Sequence, residues 1–258
     1  MKLENAEGSN NFYVNNKRAF AGTPISTEAI KMVTDFAYEM CFGSGHHRDC
    51  RTGGQYERKG GEKFCNTFQG KLAEVVLYDY FKTQGLEPKK PDFGIYKRGI
   101  WDDSDLEILG KKINVKSAAS QSNLLLLETK DWNLQGQYIP NLLLNNGAAH
   151  WYDYFVLVRI EPDIKKLFKA ETLLFSDAIE RKTIEDILFA NNWRFDIAGY
   201  CTNADVIATI ENGNILPQNA MLNTYTKMDA SNYYIQSGDM VSITDLVREL
   251  KPDVRLQL

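Results

Sequence analysis

The run 105–116, Asp-Leu-Glu-Ile-Leu-Gly-Lys-Lys-Ile-Asn-Val-Lys, limits the possible folds more than any other segment. Two short alternating runs flank Gly110, which is the pattern of an antiparallel hairpin turning at the glycine. A period of two puts Leu106 and Ile108 on one face of the first strand and Asp105 and Glu107 on the other. In the second strand Ile113 and Val115 share one face, and Asn114 and Lys116 the opposite one. Polar groups from neighbouring strands are thereby brought together.

Helices and further strands surround this hairpin. Ser26 or Thr27 can cap a helix carrying Ile30, Val33, Phe36 and Ala37 that ends near Met40. A loop rich in glycine and basic residues follows over about 43–63. A second helix is expected from Asn66 or Thr67 to Lys82, burying Leu72, Val75, Val76 and Phe81, with Glu74 beside that stripe. Strands are expected at 124–128, 154–160, 193–197 and about 233–236, and helices near 183–190 and 243–250. With no repeat and no clear linker, the 258 residues read as one domain with a core over about 66–165 and a C-terminal elaboration over about 190–258.

At 43% hydrophobic and 25% charged residues the composition is that of a globular protein. A net charge of -4 and a pI near 5.5 argue against a protein that coats nucleic acid through bulk charge, yet they allow an enzyme with a local basic surface. The first ten residues contain no apolar run of the secretory type, and no later run approaches the roughly 18 residues of a membrane span, so a cytoplasmic protein with no membrane partner is expected. Four cysteines, Cys41, Cys50, Cys65 and Cys201, fit free thiols in a reducing compartment.

Glu74 in Gly70-Lys-Leu-Ala-Glu74, Asp105 in Asp105-Leu-Glu-Ile-Leu-Gly and Lys116 in Ile113-Asn-Val-Lys-Ser117 follow an order of helix glutamate, strand aspartate and strand lysine. That order resembles the PD-(D/E)XK nuclease superfamily, over about 70–160. The resemblance implies an α/β (α+β) fold with a restriction-endonuclease-like central mixed sheet flanked by helices. It also implies a Mg²⁺-dependent, type II restriction-like endonuclease, with Mn²⁺ as substitute, acting on double-stranded DNA as a homodimer. Asp105 is then the first metal ligand, Lys116 orients or helps deprotonate the attacking water, and Glu74 binds a second metal or its water.

One position departs from the pattern: Asn114 stands where the family carries an acid two residues before the lysine. An amide oxygen can coordinate a metal but brings no charge. Glu128, a dozen residues after Lys116 and near Asp131, is the replacement candidate; Glu107 is its rival, and Asp92 is a rival for Asp105. DNA contacts are assigned to Arg48, Arg51, Arg58 and Lys59 in the basic loop and to Ser117, where small residues allow close backbone approach. Asn145, Asn146, Arg194, Asn219 and Asn223 have chemistry suited to base edges. His46, His47, Cys50 and Cys65 match no compact zinc spacing, and Trp101, Trp132, Trp151 and Trp193 read as core and interface. Two rival classes remain: a catalytically inactive DNA-binding protein on a decayed nuclease core, and a small-molecule α/β enzyme. No glycine-rich phosphate loop supports the latter.

Overall fold

A computed structural model describes residues 1–43, 58–94, 105–144 and 151–251. In chain order they form β1 (Asn11–Phe12), β2 (Thr23–Pro24), α1 (Thr27–Phe42), α2 (Gly60–Thr83), β3 (Leu106–Ile108), β4 (Lys111–Ala119) and β5 (Leu124–Glu128). There follow α3 (Ile139–Leu144), β6 (Tyr154–Glu161), α4 (Ile164–Ala170), α5 (Arg181–Phe189), β7 (Arg194–Thr202) and α6 (Asn203–Glu211). The chain continues through β8 (Ile215–Leu216), β9 (Met221–Leu222), β10 (Thr226–Lys227), β11 (Asn232–Gln236) and α7 (Ile243–Leu250). No helix among the described residues is long and apolar enough to cross a membrane.

The architecture is mixed α/β. Its centre is a five-stranded sheet in the order β2-β7-β6-β4-β3. β4 and β6 are parallel, with Ile113 opposite Tyr154 and Lys116 opposite Leu157, while the other pairs are antiparallel. β6 is buried along nearly its whole length because it serves two cores. Tyr154, Val156, Val158 and Ile160 face the layer of α1, α2 and α7; Phe155 and Leu157 face the layer of β5, β11 and α6. A continuous apolar run is the sequence pattern of such a strand. β7 bulges against β6 at Leu157/Val158, where Gly199 takes φ 149°. A Cβ there would lie 2.7 Å from the Val241 carbonyl oxygen.

Two smaller sheets extend the molecule, β5-β11-β8 and β1-β9-β10. The stretch beyond residue 190 thus supplies β7 to the central sheet and β11 to the second, and α7 joins the main core through Leu246, Val247 and Leu250. The Ser26 cap holds, its Oγ accepting from the Ala29 amide at 3.1 Å. The hairpin turns through Leu109 and Gly110, both at positive φ, as a two-residue turn between right-twisted strands requires.

The second helix starts at Gly60 and not at Asn66 or Thr67. Gly60 and Gly61 read as loop because glycine weakens a helix. Tertiary contact reverses this: the Gly61 amide donates to the Ser176 carbonyl at 2.8 Å, and a Cβ on Gly61 would sit 2.2 Å from the Leu173 carbonyl oxygen. Only glycine permits that approach. β7 likewise runs past Ile197 to Thr202, and α4 and α6 are helices that the apolar periodicity did not single out.

Candidate active site

The hairpin sorts its side chains as the alternation predicts. Leu106, Ile108 and Ile113 are buried in the main core, with Val115 packed against it. Lys116, paired with Leu157, faces the opposite way. Leu106 pairs with Ile113, so one further step of the register sets Asp105 across from Asn114. Asp105 is fixed there by its own side chain, Oδ2 accepting from the Val115 amide at 2.7 Å. Asn114 is buried, and its Oδ1 has no hydrogen-bond partner among the described residues.

β5 brings in the acid from elsewhere in the chain. Leu125 and Leu127 point into the second core, so Leu124, Leu126 and Glu128 point the other way. Glu128 pairs with the buried Asn232 of β11, and a 3-10 turn at Thr129–Asp131 then tucks Asp131 inward. Lys116, Ser117, Glu128, Asp131 and Arg58 line a single cleft of about 430 Å³. Asp131 Oδ1 is buried without a hydrogen-bond partner among the described residues, which is costly unless a cation or water answers it.

The remaining candidates lie apart from this cleft. Glu74 is carried by α2, which packs on the sheet face of Ile113 and Val115, and it forms a short ion pair with Lys71. Lys71 also donates to the Asp92 carbonyl at 2.9 Å, while the Asp92 carboxylate accepts from the Gly94 amide at 2.7 Å. Glu107 is on the Lys116 side of the hairpin but is held by Lys89 at 2.6 Å. Among the described residues, no three His, Cys, Asp or Glu side chains gather into a group able to hold a metal ion.

Of the residues expected to contact DNA, Arg58 and Ser117 line the cleft. Lys59 is paired with Asp177 at 3.2 Å at the start of α2, and that pairing holds the Asp177 carboxyl below its ordinary range. Arg48 and Arg51 lie outside the described residues, as do His46, His47, Cys50, Trp101, Asn145 and Asn146. Cys65 is fully buried, its thiol directed at the Ile164 carbonyl, and burial pushes its pKa up. Trp132 and Trp193 are core residues, whereas Trp151 is half exposed. Tyr138 and Asn232 also line the cleft. Neither has a local motif, and only the β5/β11 pairing brings Asn232 there.

No family model, curated protein or solved structure matches the chain.

Proposed function

We propose that this protein is a Mg²⁺-dependent, site-specific endonuclease for double-stranded DNA, built on a restriction-endonuclease-like core and acting in the cytoplasm as a homodimer. The observation that supports it best is the cleft that joins Lys116 to Glu128 and Asp131, with the Asp105 carboxylate held on the amide of Val115, the residue before Lys116. A two-fold dimer suits a palindromic site and offers one centre per strand.

The donor set fits the metal. Mg²⁺ prefers hard oxygens and is commonly held by one or two carboxylates plus waters and substrate phosphate, so a three-acid cage is not required. Glu128 and Asp131, or Asp105 with the buried Asn114 oxygen, would hold it. When bound, the ion neutralises phosphate charge and acidifies water. Lys116 orients the attacking water or shuttles its proton, and its ammonium offsets charge developing on the phosphoryl oxygens. Arg58 at the cleft wall binds an adjacent phosphate, and Ser117 lets the DNA backbone approach β4.

Purified protein incubated with unmethylated phage DNA over a range of Mg²⁺, against an EDTA control, tests this reading by gel and end sequencing. Discrete fragments that require metal are expected. Intact DNA throughout refutes a nuclease. A second reading, a catalytically inactive DNA-binding protein, is favoured by the uncharged Asn114 at the acid position; it requires DNA retardation without cleavage and without metal.

A further inference from the structure

A second cleft, of about 700 Å³, adjoins the first, and Ser122, Leu124 and Leu126 line both. Lys17, Lys166 and Lys227 line the second part, all exposed. None of the three makes an ion pair among the described residues. Three acids line the same part. Glu161 faces Arg194 at 3.5 Å, Asp163 caps α4 by accepting from the Lys165 amide at 3.0 Å, and Asp229 has a partner of its own. With Glu161 answered by Arg194, the three lysines outnumber the remaining acids of the groove.

The β9–β10 turn forms one wall. Asn223 and Thr224 both adopt positive φ, 50° and 69°. The turn is tied down on its inner side: the Asn223 amide donates to the Phe12 carbonyl at 2.8 Å, and Asn223 Oδ1 accepts from the Val14 amide at 3.2 Å. Asn223 is therefore committed to holding the turn. Tyr225 follows directly, lines the groove and is 74% exposed. A large aromatic held in water on a fixed turn beside three available cations is suited to meeting a base.

We infer that a DNA duplex lies along this groove, with Lys17, Lys166 and Lys227 neutralising phosphates outward from the Lys116 cleft and Tyr225 contacting base edges. The inference rests on the nuclease reading, and the two can fail separately. Binding is measured by fluorescence anisotropy on a duplex containing the cleaved site, or any duplex if none is cleaved, in a Lys116→Ala background from 50 to 200 mM salt. Replacing all three lysines by alanine should weaken binding and reduce the slope of log K against log salt by about 2.7, three phosphates at about 0.9 each. The triple arginine variant should keep both. Tyr225→Ala in the otherwise unaltered enzyme should relax the set of sites cut while the Mg²⁺ requirement stays the same. An unchanged salt slope in the alanine variant overturns the groove, and an unchanged site set in Tyr225→Ala overturns the readout. Wild-type protein that binds through these lysines without cutting would sink the nuclease reading alone, and protein that does not bind at all sinks both.

Discussion

Asp105 Oδ2 accepts a hydrogen bond from the Val115 amide at 2.7 Å, so the carboxylate proposed to hold the metal also ties together the two strands of the hairpin. That structural part needs an acceptor, not a charge. Asp105→Asn keeps an acceptor and should melt near the wild type while losing cleavage. Asp105→Ala should also lose about 1–2 kcal/mol of stability, because the Val115 amide is left without its partner. Thermal melts beside gel assays of both variants check this, and near wild-type cutting by Asp105→Asn removes Asp105 from the centre.

Lys116→Ala and Glu128→Gln test the cleft from its two sides. Loss of the lysine should slow cleavage by roughly 10²-fold or more at every metal concentration. Loss of the Glu128 charge should instead be partly restored by high Mn²⁺. Single-turnover rates across a Mn²⁺ series separate the two behaviours; full activity of Glu128→Gln would move the missing acid to Glu107 or leave the position to Asn114.

Arg159 is fully buried and donates to both Asp196 oxygens at 2.8 and 2.5 Å, to the Arg18 and Ala19 carbonyls and to Asn123 Oδ1. It therefore fastens the segment before β2 and the turn after β4 to the sheet. Arg159→Met should cost about 3–5 kcal/mol by stranding Asp196 as a buried charge, and Asp196→Leu added to it should recover part of the loss. Urea titration of the single and double variants measures both.

Leu109 holds φ 51° in the hairpin turn and is 70% exposed. A left-handed leucine is strained and buries little in return. Leu109→Asn should raise stability by about 1 kcal/mol, seen as a higher urea midpoint with an unchanged slope.

Burial pushes the Cys41 thiol up to about 11, and Cys65 and Cys201 higher still. A raised thiol pKa keeps the group protonated, so at pH 8 only about one Cys41 in a thousand is thiolate. Peptide mapping after alkylation of the native protein at pH 8 should find these three cysteines unmodified, with Cys41 labelling first as pH approaches 11. Rapid labelling at pH 8 would contradict the burial.

The parts of the fold legible from residue order alone are local and periodic. The hairpin with its two faces follows from alternation about Gly110, α7 spans Ile243–Leu250 as its apolar spacing demands, and β6 shows as an unbroken apolar run. Each is set by residues within one turn or one strand of each other, where side-chain direction follows directly from backbone period. Tertiary structure decided the rest. Gly60 and Gly61 became the first turn of α2 because the Leu173 and Ser176 carbonyls leave room for nothing larger. Glu128 reached the Lys116 cleft because β5 pairs with the distant β11, and Glu74 remained over the other face because α2 packs there. Lys17, Lys166 and Lys227 carry no mutual spacing at all; a shared groove exists only once three sheets have packed, since burial and approach depend on contacts between segments and not on the order of residues within one.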